Sequence, residues 1–292
     1  QISIGQFVAA EVIIVLVINS VEKLILSLET VYDTLVAVEK LGQVMDLELE
    51  HHSPSEKVIQ SSDGGLKFTM VDLKFQPQDA LEPILKGVNM NIEAGEKVVI
   101  TGNSGSGKSA TMALFAGLYE DYEGKVLVND LSMELINLEK FRGMVGDFLD
   151  VQQIFHGTIK ENILLGRDFD TTQLDYLIDL TGLKDFIYQQ PEGLDTVLQP
   201  EGKGIPKALA QQIIIARGLV GYPKALIMEN TLAFLPKEVK ERVIDFYFNG
   251  NWTLIMVSED EEVIQKADKV VLMDAGLVQY QGDYQGYKNL RK

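Results

Sequence analysis

The chain has 292 residues, 46% of them hydrophobic, and a formal net charge of −17. That apolar share supplies a full core and excludes disorder, and the acidic balance excludes nucleic acid or an anionic lipid surface as the main partner, since both require a basic face. With no cysteine there is no disulfide, thiol nucleophile or Cys-ligated zinc site, which suits a reducing compartment, and the three histidines, His51, His52 and His156, lack metal-ligand spacing.

The first forty residues stand apart from the rest of the chain. Phe7 to Ile18 is apolar all round except for Glu11; after it Val21, Leu24, Ile25, Leu28, Tyr32 and Leu35 recur on one face, with Glu22, Lys23, Glu29 and Asp33 between them. The pattern predicts one helix from about Ser3 to Leu41, stopped by Gly42 and roughly 55–60 Å long. Its strongly apolar part is about twelve residues, short of the roughly twenty that span a bilayer. It reads either as a soluble helix or as the last portion of a membrane helix continuing into the cytoplasm. A signal peptide does not fit, for want of a basic leader and a small-residue cleavage site. Glu11 is costly in lipid and would face a protein interior or a transport path, whereas on a soluble helix it would be exposed. The initial Gln points to a piece of a longer protein.

A polar stretch from Asp46 through Pro54, closed by the turn signal Ser61-Ser62-Asp63-Gly64-Gly65, marks a linker. Strands are then predicted over Leu66–Phe75, Leu85–Ile92, Glu96–Thr101 and Gly124–Val128. Between the third strand and a helix over Ser109–Ala116 lies Gly102-Asn103-Ser104-Gly105-Ser106-Gly107-Lys108-Ser109, a full P-loop pattern in strand–loop–helix context. Its glycines let backbone N–H groups cradle phosphate oxygens at a helix N-terminus. Lys108 would reach the β- and γ-phosphates, and Ser109 would hold Mg²⁺. Further on, helical stretches Leu174–Leu180, Ala208–Leu219 and Lys237–Phe248 alternate with strands Ala225–Met228, Thr253–Val257 and Lys269–Met273, the mark of a parallel α/β sheet. The last 25 residues read as a hairpin and tail.

The order of these segments resembles an ABC transporter nucleotide-binding domain of the exporter type, over about residues 66–285. Phe75, 27 residues before Gly102, lies where that family keeps an aromatic that stacks on adenine. Gly157-Thr158-Ile159-Lys160-Glu161-Asn162-Ile163, Gly193–Thr196 with Glu201-Gly202, Ala216-Arg217, Pro223–Ile227, Ala267-Asp268 and Asp274–Gly276 are similar to successive family landmarks. The resemblance implies an α/β fold: a RecA-like parallel core with an antiparallel β subdomain and a helical insertion near 160–220, preceded by a long N-terminal helix. It implies residues 1–45 as the end of a transmembrane-domain helix, 46–65 as linker and 66–292 as the nucleotide-binding domain. It implies ATP and Mg²⁺ as ligands, with Phe75, Gly102, Asn103, Ser104, Gly105, Ser106, Gly107, Lys108, Ser109 and Ala110 on the nucleotide and Ser109, Glu229 and Asp150 on the metal. The implied partners are an exporter membrane domain and a second nucleotide-binding domain, in a homodimer or heterodimer. The implied place is the cytoplasmic face of the inner or plasma membrane.

Outside the P-loop the chain departs from the family pattern. Glu229-Asn230 stands where Asp-Glu closes the Walker B strand, so the water-polarising carboxylate becomes the amide of Asn230. The signature Leu-Ser-Gly-Gly-Gln aligns with Ile205-Pro206-Lys207-Ala208-Leu209, in which Pro206 has neither hydroxyl nor N–H and Lys207 is the one charge that could reach phosphate. The switch histidine aligns with Glu259, which is expected to point away from phosphate or to disfavour closure. The metal-linking glutamine aligns with Asp150, with Gln152 and Gln153 off register, and Ser-Ala-Leu-Asp becomes Ala233-Phe234-Leu235-Pro236. The reading is an ATP-binding exporter domain with little or no hydrolysis, Asn230 and Glu259 being weak substitutes at the catalytic positions. The alternatives are a fully active transport ATPase with compensated residues and an unrelated P-loop enzyme such as a kinase, for which no arginine cluster is present. Cargo is not legible; peptide or protein export is favoured on resemblance alone.

Overall fold

The computed structural model describes residues 3–47, 59, 64–78, 80–149, 153–229 and 231–290. Most of the predicted linker, with Asp150, Gln152 and Asn230, lies outside them. The chain divides into two compact units, Gln1–His51 and His52–Lys292.

The first unit is the helix α1, Ile4–Met45. Ser3 and Gln6 form a reciprocal capping box at its start: the Gln6 N–H donates to the Ser3 hydroxyl and the Ser3 N–H to the Gln6 side chain. The helix runs through the predicted stop at Gly42, because a glycine in the last turn weakens a helix by only about 1 kcal/mol; it ends where the Asp46 N–H donates back to the Gly42 carbonyl. The hydroxyls of Ser20, Ser27, Thr30 and Thr34 donate to carbonyls four residues earlier, which hides their polarity in the helix itself. The most apolar 18-residue window has a mean hydropathy of 2.1, so by length and composition α1 can cross a membrane. The apolar run is thus longer than the dozen residues counted from the sequence.

The second unit opens with β1 (Phe68–Phe75), β2 (Leu85–Ile92), β3 (Lys97–Gly102), α2 (Lys108–Phe115), β4 (Glu123–Val128) and β5 (Leu131–Ser132). It continues through α3 (Leu138–Arg142), β6 (Val145–Phe148), β7 (Gly157–Thr158), α4 (Ile159–Leu164), α5 (Thr171–Thr181), α6 (Lys184–Gln189), β8 (Val197–Leu198) and α7 (Lys207–Leu219). It closes with β9 (Ala225–Glu229), α8 (Lys237–Asn249), β10 (Thr253–Val257), α9 (Glu261–Gln265), β11 (Lys269–Asp274), β12 (Leu277–Gly282) and α10 (Tyr284–Leu290), so the predicted tail is helical.

The strands form an antiparallel sheet, β2-β1-β4-β5, and a six-stranded sheet, β12-β11-β3-β10-β9-β6, parallel except for the β11–β12 hairpin. The parallel strands are near-continuous apolar runs because both faces are covered. Alternation divides them: Val99, Leu226, Met228, Leu254 and Met256 join one core, beneath α4, α5, α7 and α8. Val98, Ile100, Ile227, Ile255 and Val271 join the other, with α2 and the antiparallel sheet.

The helical insertion is fastened by polar clips. In the Gly157–Ile163 stretch, Thr158 and Glu161 form a capping box for α4. The buried Asn162 side chain accepts from the Phe155 N–H and donates to the carbonyls of Phe155 and Thr158. The guanidinium of Arg217, on α7, donates to the Asn162 carbonyl at 2.7 Å, to its side-chain oxygen at 3.2 Å and to the Gln153 carbonyl at 3.1 Å.

Candidate functional site

A cleft of about 1080 Å³ opens where β3, β9 and β10 end. The parallel order places the carboxyl ends of these strands side by side, which is where open α/β sheets bind ligands. The loop after β3 forms one wall, Glu229 stands at the end of β9, and Ser258–Asp260 follow β10.

The P-loop wall is shaped by close approach. A Cβ on Gly102, whose φ is 143°, would lie 2.0 Å from the Met273 carbonyl oxygen, so only glycine lets β3 turn there beside β11. Gly107 is the N-cap of α2 in a left-handed conformation, and no side chain caps the helix. The first-turn N–H groups of α2 therefore remain directed at the loop. Lys108 extends back over the loop, its ammonium donating to the carbonyls of Gly102 at 2.7 Å and Asn103 at 2.8 Å. Ser106 is buried beneath, its hydroxyl without a hydrogen-bond partner among the described residues. Ser104, Gly105, Gly107, Ser109 and Ala110 line the cleft with Lys108.

Across from them the Ser109 hydroxyl donates to a Glu229 carboxylate oxygen at 2.6 Å. This pair joins residues 120 apart in sequence, and the longer glutamate side chain reaches the hydroxyl directly. It is an all-oxygen donor set of the kind a hard divalent cation takes alongside phosphate oxygens. With no cluster of three or more acidic or histidine ligands among the described residues, a metal here would depend on those phosphates. Ser109, Glu229 and the unpartnered Ser106 hydroxyl fit Mg²⁺ with a polyphosphate.

The facing rim has a different chemistry. Glu259 lines the cleft. Its neighbour Asp260 caps α9, accepting from the Glu262 N–H, and takes a 2.9 Å bond from Lys240. That bond holds the Asp260 carboxyl below its usual range. The segment 231–235 contributes the apolar Leu232, Ala233 and Leu235. Phe234 turns to the signature helix, where its N–H donates to the Gln211 side chain and the Lys207 ammonium stands 5.3 Å over its ring. Lys207 is therefore a partner of Phe234 and does not line the cleft. Pro206 caps α7 with no side-chain bond. Phe75 is 4% exposed, its ring centroid 4.6 Å from that of Tyr119, so it offers no open face for stacking.

Sequence reasoning passed over Lys237, Lys240, Asp260 and Ile84, which also line the cleft. The first two were findable: three residues apart just after Pro236, they share a face of the first turn of α8. Ile84 precedes a strand by one residue and carries no motif signal.

The family model described as ABC transporter matches residues 85–233, slightly more than half of the chain and the stretch from β2 through the P-loop to Glu229. The chain belongs to the ABC transporter family. Among curated relatives, this ABC chain is 30% identical over 260 residues to the ABC multidrug transporter atrD of Emericella nidulans, covering 84% of the chain and 19% of the transporter. It is 28% identical over 289 residues to the leukotoxin export ATP-binding protein LtxB of Aggregatibacter actinomycetemcomitans, covering 98% of the chain and 40% of that protein. The chain thus spans under half the length of these relatives. A solved bacterial Atm1-family ABC exporter with ATP bound superposes with a TM-score of 0.80 at 23% identity, over 90% of this chain and 46% of that one. The fold is that of an exporter's nucleotide-binding domain with a long helix before it.

Proposed function

We propose that this ABC domain binds Mg-ATP between its P-loop and Glu229 and couples the bound state to an exporter membrane domain, with little or no hydrolysis of its own. The 2.6 Å Ser109–Glu229 pair carries the reading, because it sets a metal-binding hydroxyl and carboxylate together beside Lys108. The Lys108 ammonium exchanges the Gly102 and Asn103 carbonyls for β- and γ-phosphate oxygens, bonds that gain strength from charge on both sides. The N–H groups of the loop and of the first turn of α2 take the remaining phosphate oxygens. Mg²⁺, when bound, neutralises phosphate charge; Ser109 and Glu229 hold it, with Asp150 as the further candidate ligand.

Hydrolysis fails for want of a base. Asn230 orients a water but does not accept its proton, and loss of a general base slows a reaction by about 10²–10⁴. Glu259 adds a carboxylate where charge develops on the phosphate, which opposes closure. Pro206 has no hydroxyl or N–H for a nucleotide held by a second domain. Residues 1–45 form the end of a membrane-domain helix, 46–65 a linker and 66–292 the nucleotide-binding domain at the cytoplasmic face of the inner or plasma membrane. The domain pairs with an identical or a different nucleotide-binding domain, and the cargo is a peptide or protein; of the relatives, LtxB is named for leukotoxin export and atrD for multidrug transport.

The test is Mg-ATP binding and Pi release on the full chain, with Lys108→Ala alongside. Binding that needs Lys108, with Pi release at background, is the expected result. Steady Lys108-dependent release would instead establish an active transport ATPase with compensated residues. ADP formation only with an added acceptor, which takes the phosphoryl group so that no Pi appears, would establish a kinase.

A further inference from the structure

We propose that the cleft favours a nucleoside diphosphate over a triphosphate, and that the Glu259 carboxylate sets this preference. The inference deepens the Mg-ATP reading and rests on where that reading puts the phosphates and the metal.

Sheet order fixes where Glu259 stands. β10 lies between β3 and β9, and its last residue, Val257, pairs with Ile100 on one side and Glu229 on the other. The Ser258 N–H donates to the Ile100 carbonyl at 3.2 Å, so the chain stays beside β3 for one residue more. Glu259 thus leaves the sheet between the strand that enters the P-loop and the strand that ends in Glu229. A terminal phosphate shared by Lys108 and a metal on Ser109 and Glu229 is held across the same gap.

The backbone at Glu259 is fixed on both sides. Ser258 is tied to β3, the Asp260 N–H donates to the Ser258 hydroxyl at 3.1 Å, and the Asp260 carbonyl accepts from the N–H groups of Val263 and Ile264. The other carboxylates of the cleft are answered, Glu229 by Ser109 and Asp260 by Lys240. Its lysines are engaged as well: Lys108 with loop carbonyls, Lys240 with Asp260, and Lys237 with Glu241, 3.8 Å away on α8. Glu259 is exposed, lines the cleft, and has no hydrogen bond or ion pair among the described residues. A terminal phosphate carries nearly two negative charges and is the group that meets this unpaired carboxylate. A diphosphate keeps Lys108, the loop N–H groups and the metal pair, and ends one phosphate short of Glu259.

Calorimetric titration of the full chain with Mg-ADP and with Mg-ATP tests this. Mg-ADP is expected to bind roughly fivefold more tightly, and the gap to narrow as salt is raised, because Glu259 is open to solvent. Glu259→Gln, which keeps the shape and drops the charge, is expected to raise Mg-ATP affinity roughly fivefold and Mg-ADP affinity far less. Mg-ATP binding as tight as Mg-ADP binding, or tighter, overturns the proposal and leaves the Mg-ATP reading standing. A Glu259→Gln variant that moves both affinities alike also overturns it. Mg-ADP binding with no measurable Mg-ATP binding, the latter restored by Glu259→Gln, would uphold the proposal and overturn the Mg-ATP reading. If the chain binds neither ligand, both fall.

Discussion

The two walls of the cleft are built to different standards. The P-loop wall is arranged for phosphate and metal: Lys108 lies on the loop carbonyls, Ser109 meets Glu229, and glycines stand where a Cβ would collide. On the opposite rim the polar groups, Glu259 apart, are spent on the protein itself. Asp260 is taken by Lys240 and the N-terminus of α9, and Lys207, outside the cleft lining, is taken by Phe234. The scaffold behind that rim is nonetheless intact, since α7 is clamped to α4 by the Arg217–Asn162 bonds. Packing and chemistry are thus separable: a domain keeps its shape by apolar burial and a few buried polar clips, while residues at the rim change without disturbing either.

Substitutions can sharpen or break this contrast. The largest effect belongs to the clip: Arg217→Met removes the guanidinium donor from the Asn162 and Gln153 carbonyls and from the Asn162 side chain, at about 2–4 kcal/mol, read as a Tm roughly 5–15 °C lower. Mg-ATP affinity measured well below that Tm stays unchanged, and a matching loss of affinity would show that shape and site are not separable. Next is Glu229→Gln, expected to lower ATP affinity about tenfold with Mg²⁺ and little without it; an equal loss in both conditions would remove Glu229 from the metal. On the opposite rim effects are small. Phe234→Ala removes one cation–π contact, worth about 0.5–1 kcal/mol, and leaves Mg-ATP binding as it was. Asp260→Asn costs under about 1 kcal/mol, because its ion pair with Lys240 is about a third exposed on both sides and water screens it. The sign follows from the depressed Asp260 carboxyl: its contribution is present above the ordinary carboxylate range near pH 4 and is lost as pH falls through the lower folded value. A stability profile in which Asp260→Asn matters more at low pH than at neutral pH would reverse that assignment.

What was legible in the sequence tracks what is local. The P-loop, β2, β10 and the helical insertion could be read because their signals, glycine spacing and apolar periodicity, lie within a dozen residues. The sequence order also sufficed for the landmark Gly157–Ile163, whose Thr158 and Glu161 are a capping box in plain view. Contacts across the fold were not legible. Phe75 sits at the right spacing for a stacking aromatic, but its burial by Tyr119 depends on where α2 ends. For Glu259 the sequence left two expectations, pointing away from phosphate or disfavouring closure, and its place on the cleft rim depends on the end of β10 lying beside β9, a contact across the fold. The end of α1 was misplaced for a smaller reason: a single glycine is too weak a helix breaker to decide a boundary.

The hydroxyl at the start of β10 has a reach well beyond its strand. Thr253 is fully buried; its Oγ1 accepts from the N–H groups of Leu66, at 3.0 Å, and Gly95, at 2.9 Å, and donates to the Leu66 carbonyl at 2.5 Å. Valine has the same outline and none of these bonds, and would leave the buried Leu66 N–H and carbonyl and the half-buried Gly95 N–H unanswered. Serine would keep all three at the expense of a methyl group. Position 253 should therefore drift between threonine and serine alone in chains that share this junction, a substitution pattern dictated by one oxygen atom far from the cleft and open to inspection in any set of related sequences.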